Sequence, residues 1–533
     1  MKETYIKWCE KVSGKDKNEL LEIADNEKEI EDRFYKSLEF GTGGLRGLLG
    51  IGTNRMNVYT VRQATQGVAE YVLSNNEQAS GIVIAYDTRH FSEVFALETA
   101  KVLSGNGIKV YLFKKAVPTP ELSFAVRELN AFGGIVITAS HNPAEYNGYK
   151  VYDKTGCQIT VEVANEIYSY IKEVDAFDDV KKNNGENIIY IGDEIEDRFI
   201  EEIYKCRIND VTEKFSIVYT PLHGTGKTPV KKILDKIGVN VLLVDEQCTE
   251  DGAFPTVKSP NPEEKSALDM GISLAKKEDV DLVVGTDPDS DRVGVAIRGE
   301  NEEFRVLSGN QVGILLLDYI LKHKKMQKNA KLIKTIVTTP LADKMAKAHN
   351  VETVNVLTGF KFIGEKINEI EKEYLFGFEE SCGYLVGRYA RDKDAVGAVM
   401  LICEMAAYYD KQGLTLDKVL NNIYETYGYF TEKLCSYKLA GKDGAEKIAA
   451  MVEYIRNNCR ENIKEIKVVE FVDYKNDDTG LPKSNVIYIK LESGASFVIR
   501  PSGTEPKIKI YYFAESDKAL NDAENTVKEV LEL

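Results

Sequence analysis

The chain has no apolar run near the roughly 18 residues that a membrane span requires. One of the longest, 312–321 (VGILLLDYIL), already contains an Asp. The first residues, MKETYIKWCEKVSGK, contain no signal-peptide hydrophobic region. The eight cysteines stand singly with no CxxC pair, so neither a disulfide framework nor a zinc site is expected. A basic excess is missing too. Lys+Arg number 69 against 85 Asp+Glu, a net charge of −16, whereas a nucleic-acid binder carries a basic stripe. The one lysine-dense stretch, 324–334, reads as a solvated helix end and the loop after it. These absences predict a reduced, cytoplasmic protein without a nucleic-acid or membrane partner. An anionic ligand would have to be held by a few placed Arg, Lys and backbone N–H groups, because the overall field repels it.

A composition of 43% apolar and 29% charged residues is globular and excludes a disordered or collagen-like chain. At roughly 100–200 residues per domain, the 533 residues predict about three to five domains. Strand-like runs at 81–85 (GIVIA), 109–113, 134–138 (GIVIT), 217–220, 239–244, 282–285 and 336–339 alternate with helical patterns at 61–73, 92–103 and 120–129. This alternation predicts βαβ units and a largely parallel sheet, an α/β fold. Thr119 is the expected N-cap, and Pro120 the first residue, of the helix 120–129. The dipeptides Thr119-Pro120, Thr220-Pro221 and Thr339-Pro340 hint at three repeated α/β units. After Gly413 the texture changes. A connecting helix at 416–427 leads to strands near 468–472, 486–491, 496–500 and 508–513 without regular alternation. The chain therefore divides into 1–205, 206–303, 304–425 and 426–533, with the charged helix 193–204 and the polar stretch 298–303 as the first two joints.

Four segments carry chemistry. In GGIVITASHNPAEYNGYK (133–150) a buried strand runs out into Ser140, the position at which a parallel sheet presents a nucleophile. His141 follows it, although adjacent side chains normally diverge, and Asn142, Asn147 and Lys150 add polar groups. In GTDPDSDR (285–292), Asp287, Asp289 and Asp291 alternate at the end of a strand. Three carboxylates so close repel one another unless a cation neutralises them, and an oxygen-only set suits a hard ion such as Mg²⁺. An EF-hand is excluded, because its sixth and twelfth positions would be Arg292 and Arg298 rather than Gly and Glu. In FVIRPSGTEPKIKIYY (497–512), Arg500, Ser502, Gly503 and Thr504 place a guanidinium, two hydroxyls and flexible backbone together, with Lys509 as a second charge. That set suits a tetrahedral dianion. In LFGFEESCGY (375–384), Glu379 and Ser381 are spaced to bind neighbouring hydroxyls, and Lys393 in RYARDKDAVG (388–397) can meet a phosphate. HGTGKT (223–228) is not a P-loop, since Pro221 stands where its first Gly belongs. FGTGGLRG (40–47) has no preceding strand and reads as a loop that brings Arg46 and backbone N–H groups to an anion.

In this order, TASHNP, DPDSDR, the E-x-S segment and RPSGTEP closely resemble the α-D-phosphohexomutase superfamily, over nearly the whole chain from 40 to 500. TPLHGTG (220–226), FPTVKSPNPEE (254–264) and LTGFKFIG (357–364) resemble its branch of phosphoglucomutases and phosphopentomutases. The resemblance implies four domains around a central cleft, three of them related mixed α/β units and the fourth a distinct α+β domain. It implies a phosphosugar mutase that interconverts glucose 1-phosphate and glucose 6-phosphate through a phosphoserine enzyme. Glucose 1,6-bisphosphate would be intermediate and activator. Ser140 would be phosphorylated; Asp287, Asp289 and Asp291 would bind Mg²⁺ together with it. Arg292 and Arg46 would contact the transferring phosphoryl group, Lys150 would move a proton, and Glu379 and Ser381 would read sugar hydroxyls. Arg500, Ser502, Gly503, Thr504 and Lys509 would hold the phosphate that does not react. Gly359, Lys361 and Glu379 would shape sugar preference, which leaves phosphopentomutase or phosphomannomutase activity as alternatives. The expected assembly is a monomer or small homo-oligomer. Two departures stand out. Some members carry a histidine just after the E-x-S segment, where this chain has Gly383-Tyr384, and Lys509 replaces an arginine of some relatives.

Overall fold

A computed structural model describes residues 1–41, 43–210, 215–439, 441–502 and 506–533, leaving the side chains of 441 and 442 aside. The described residues form four sheets. The first runs Gly44–Leu48, Tyr146–Asp153, Gly133–Ile137, Ile82–Tyr86, Val110–Phe113, Ile188–Ile191. The second runs Phe304–Leu307, Val293–Arg298, Leu282–Thr286, Ser216–Thr220, Asn240–Leu243, and the third Glu352–Val356, Lys331–Thr335, Tyr374–Glu379, Gly383–Leu385. In each, three or more parallel strands end in one whose next strand returns antiparallel beside it. The parallel strands Ile82–Tyr86, Gly133–Ile137 and Leu282–Thr286 are buried along their whole length, as a sheet covered on both faces requires. The fourth sheet is antiparallel throughout: Thr431–Lys438, Lys507–Ala514, Ser496–Pro501, Ile487–Leu491, Ile466–Asp473, Asn462–Ile463. Three related α/β units and a distinct fourth are thus present.

One apolar core runs through the first three units without a break, from Val83 through Val284 to Phe378 and Ile423. The fourth has its own, built from Ile448, Ile489, Phe497, Ile510 and Val527. A smaller cluster of Val337, Val486, Val498, Tyr511 and Phe513 joins it to the third unit. Among the described residues no helix is long and apolar enough to cross a membrane.

Three local expectations are corrected. The strand expected at 336–339 lies at Lys331–Thr335, so the lysine-dense stretch ends inside a sheet rather than in a solvated loop. Lys334 is tolerated there, 3% exposed, because its ammonium reaches Thr338 O at 3.2 Å and Asp343 Oδ2 at 3.1 Å. Thr119 does not cap the helix Thr119–Glu128. Pro118 precedes it without a side-chain cap, and the Thr119 hydroxyl is drawn to Asp289 instead. FGTGGLRG is only partly a loop. Gly44–Leu48 is an edge strand, with Arg46 opposite Gly148.

Candidate active site

All four chemistry-bearing segments lie between antiparallel neighbours. The serine turn lies between Gly133–Ile137 and Tyr146–Asp153, and the aspartate turn between Leu282–Thr286 and Val293–Arg298. The E-x-S turn lies between Tyr374–Glu379 and Gly383–Leu385, and the arginine turn between Ser496–Pro501 and Lys507–Ala514. The first three each hold a non-glycine residue in the left-handed region: Ser140 (φ 52°), Ser290 (φ 50°) and Cys382 (φ 60°). Such residues cost about 1–3 kcal/mol each and persist only where surroundings over-determine them.

The surroundings do so at Ser140. Its N–H donates to Thr138 Oγ1 (2.8 Å) and its hydroxyl to Asp287 Oδ2 (2.7 Å). The left-handed turn also brings His141 Nδ1 within 3.2 Å of Ser140 Oγ, so the expected divergence of these neighbours does not occur. Asp287 Oδ1 accepts from the N–H groups of Asp291 (3.0 Å) and Arg292 (2.9 Å). Asp289 Oδ2 accepts from Thr119 Oγ1 (2.9 Å) and Lys150 Nζ (3.3 Å). Lys393 Nζ lies 2.8 Å from Asp291 Oδ2. Arg292 pairs with Glu263 and stands 3.9 Å from Asp291. Asp392 and Asp394, the neighbours of Lys393, have structural work. Asp392 accepts from Tyr152 Oη (2.6 Å), and Asp394 caps the helix Ala395–Asp410.

The three aspartates are at most 1% exposed, and one ligand oxygen from each falls within 4.8 Å of the others. Among the described residues, Asp289 Oδ1 and Asp291 Oδ1 have no hydrogen-bond partner. Buried carboxylate oxygens left unpartnered are costly; here the three carboxylates converge beside Ser140, which touches Asp287, and an all-oxygen donor set fits a hard divalent cation. The residues therefore suit a metal. Burial, reinforced by Asp289 and Asp291, raises the Asp287 carboxyl well above the ordinary range. Asp289 moves the other way. Burial opposes its charge, but Lys150, a hydrogen bond with Asp287, Lys393 and the Thr119 hydroxyl together outweigh it. Burial, then Arg292 and Arg46, hold His141 well below its usual value, so it is neutral near pH 7.

Glu379, 4% exposed, ends its strand, hydrogen-bonds Ser381 and feels both Lys393 and Arg292. Burial raises its carboxyl. Glu380 is pushed up to about 8 by burial and by Glu379, against Arg500. Arg500 stands opposite Lys509 in the fourth sheet, and Ser502 N donates to Lys507 O (2.7 Å). Burial, Lys507 and Arg500 lower the Lys509 ammonium, while Glu380 and Glu263 support it. Arg500 and Lys509 therefore face the E-x-S turn. Gly503 and Thr504 lie outside the described residues, as does Thr42 of the glycine-rich segment. Gly359 (φ 117°) opens the helix Phe360–Ile370. The Lys361 carbonyl accepts from Cys157 Sγ (3.3 Å), which sets this pair at the border with the first unit.

Several contributors had no sequence signal strong enough to find them. Thr119 holds Asp289 by its hydroxyl and by its N–H on Asp289 O (2.8 Å). Ser259 Oγ donates to His141 O (2.9 Å). HGTGKT, no P-loop, braces the aspartate turn through Thr225, whose N–H and hydroxyl both donate to Pro288 O at 2.9 Å. Asp87 and Arg89, in the DTR that follows GIVIAY, underlie the serine turn. A separate cavity of about 380 Å³, between Phe124, Arg127, Arg388 and Tyr389, is not this site. Its guanidiniums are already engaged, Arg127 on Thr155 O (3.0 Å) and Arg388 on Gln327 Oε1 (2.6 Å).

Domain families described as phosphoglucomutase/phosphomannomutase alpha/beta/alpha domains I, II and III and C-terminal domain match residues 37–178, 197–300, 308–427 and 444–530. A phosphoglucomutase of Staphylococcus aureus (strain MRSA252) is 38% identical over 507 residues, covering 91% of this chain and 92% of its own. One of Staphylococcus saprophyticus is 36% identical over 534 residues, 95% and 96% of the two chains. The crystal structure of a phosphoglucomutase/phosphomannomutase family protein from Burkholderia thailandensis superimposes with a TM-score of 0.73 at 18% identity, over 92% of this chain and 96% of that one.

Proposed function

Because the chain belongs to the phosphoglucomutase/phosphomannomutase family, we propose that it interconverts glucose 1-phosphate and glucose 6-phosphate, with Ser140 carrying the transferable phosphoryl group. The observation that carries this reading is the 2.7 Å contact of Ser140 Oγ with an aspartate triad whose buried oxygens await a cation. Asp287, Asp289 and Asp291, with the phosphate on Ser140, would hold Mg²⁺. Bound there, the ion would neutralise charge on the phosphoryl oxygens, the chief need of phosphoryl transfer.

The chain's own residues do the rest. Arg292 and Arg46 hold the transferring phosphoryl group from the open side. A sugar hydroxyl attacks phosphorus; the new O–P bond forms as the Ser140 Oγ–P bond breaks. His141, neutral for the reasons above, is placed to take up the hydroxyl proton and pass it to Ser140 Oγ as that bond breaks; Lys150, an ammonium paired with Asp289, can give a proton but not accept one. Glu379 and Ser381 orient the sugar through its hydroxyls, with Lys393 nearby. The product is glucose 1,6-bisphosphate, which turns end for end and returns its other phosphate to Ser140. Arg500, Ser502, Gly503, Thr504 and Lys509 therefore anchor a phosphate on either end of the sugar. A fourth unit with a core of its own suits closing to exclude water and opening to let the intermediate turn. The same reading divides the chain into 1–205, 206–303, 304–425 and 426–533 and places it in the cytoplasm.

Incubation with glucose 1,6-bisphosphate should leave one phosphoryl group on Ser140 by intact-protein mass spectrometry, and a coupled assay should show turnover of glucose 1-phosphate ahead of mannose and ribose 1-phosphates. Ser140→Ala should lose at least about a thousandfold in turnover with its circular dichroism unchanged. Wild-type rates in that variant would discard the nucleophile, and faster turnover of ribose 1-phosphate would make the protein a pentomutase.

A further inference from the structure

Arg89 has no part in the scheme above, yet its side chain is wholly buried behind the serine turn. Its Nη1 donates to the carbonyl oxygens of Pro143 (2.8 Å) and Tyr146 (3.1 Å), and its Nη2 to those of Ser140 (2.5 Å) and Asn142. One planar group ties down four carbonyls of the turn between two strands. Arginine alone has enough N–H groups in a rigid fork to do this. Its charge is answered by Asp87, equally buried, whose Oδ2 lies 3.3 Å from Nε. Asp87 is fixed in turn, since its Oδ1 accepts from Arg89 N (3.0 Å) and Ser92 Oγ (2.6 Å).

The second unit closes the other side. The Phe254 ring lies 4.9 Å from the guanidinium. Gly252 presses so close that a Cβ there would fall 2.3 Å from His90 N. The side-chain hydrogen bonds of Arg89 end on Ser140, Asn142 and Pro143 of the serine turn and on Tyr146, the first residue of the strand that leaves it. An arrangement that served only to stabilise the sheet would not be directed at the carbonyl of the left-handed residue and at those of the turn that follows it. With those carbonyls released, Ser140 is free to relax from φ 52°, and its Oγ to leave Asp287.

We propose that Arg89, with Asp87 as its counter-ion, is a positioning residue that holds the Ser140 turn in the one geometry that aims Oγ at the aspartates. It thereby sets the rate of phosphoryl transfer without affecting substrate binding. This rests on the reading that Ser140 carries the phosphoryl group. A loosened turn would also expose that group to water, so phosphate release should rise relative to isomerisation.

The test uses the full-length protein with Arg89→Lys, and a double variant, Asp87→Asn with Arg89→Met, that removes both charges together and leaves no lone buried carboxylate. The readouts are kcat, KM, phosphate release per turnover, and amide hydrogen exchange of the segment 138–147 against the strand Ile82–Tyr86. In both variants kcat should fall roughly 10- to 100-fold, the scale of a reacting group misplaced by about 1 Å, with KM within about twofold. Exchange should quicken in 138–147 alone, and phosphate release per turnover should rise. The proposal is overturned by kcat within about twofold of wild type, by KM rising in step with kcat's fall, or by exchange quickening across the whole first sheet. A wild type that fails to isomerise glucose phosphates would sink the functional reading instead, and the exchange of 138–147 would still decide whether Arg89 holds the turn.

Discussion

The corner that joins Ser140 to Asp287, Asp289 and Asp291 and the turn that carries Arg500 and Lys509 are built in opposite ways. The first is sealed. Its aspartates are at most 1% exposed, and units one and two share it through Thr119 on Asp289 and Ser259 on His141. The third unit reaches it through Ala395 N on Ser290 O (3.1 Å) and Lys393 on Asp291. The second region is a hairpin of a sheet with its own core, and Ser502 there is exposed. The difference follows from what each must do. Bond making tolerates only one geometry and gains from a site that needs no reorganisation. Anchoring a phosphate that arrives on either end of a sugar needs charge and donors at an accessible edge.

Breaking the sealed corner should have the larger effect. Asp287→Asn leaves an acceptor for the N–H groups of Asp291 and Arg292 but removes one negative charge from the triad. Activity should fall at least about a hundredfold. The metal-free protein should melt higher than wild type because repulsion is relieved, and Mg²⁺ should no longer raise its Tm. A metal-dependent Tm gain equal to wild type's would show that the triad is not the ion's site. In the open region, Arg500→Ala should raise KM roughly 10- to 100-fold, since a hydrogen bond to a charged group contributes about 1.5–3 kcal/mol. It should do so for glucose 1-phosphate and glucose 6-phosphate alike while kcat changes little. An effect on one isomer alone would mean that the two do not share the anchor.

The seam between the regions should respond to pH instead. Glu380, raised from 4.5 to about 8 by burial and Glu379, keeps in the folded state a proton that the unfolded chain has released. Its contribution to stability is therefore full below about pH 4.5 and is lost as pH rises through about 8. Glu380→Gln stays neutral throughout, so its Tm advantage over wild type should be near zero at about pH 5 and greatest above about pH 8. A constant difference across that range would place the titration elsewhere.

How much of this was legible in the sequence varied with the range of the interactions. Asp287, Asp289 and Asp291 announce themselves by alternation at a strand end, and Ser140 by the buried run before it. Both signals are local. The parallel strands of the first two sheets are near-continuous apolar runs, and most were read within a residue or two. Lys331–Thr335 was missed because a lysine interrupts its pattern, and what makes that lysine tolerable, Asp343 and Thr338, comes from the turn and helix beyond. Thr119 and Arg89 act on residues 170 and 51–57 positions away, and no spacing rule reaches that far. The antiparallel return after each chemistry-bearing turn was equally hidden, since YNGYKVYD and VGVAIR do not state which neighbour they will pair with.

Gly383 leaves room for Lys393. A Cβ there would fall 2.6 Å from Lys393 Cδ and 2.9 Å from Glu379 Oε1, so a larger residue at this position would push the lysine aside, and Asp291 would lose the cation that now lies 2.8 Å from it. The smallest side chain of the E-x-S turn thus sets the charge balance of the aspartate corner in the neighbouring unit.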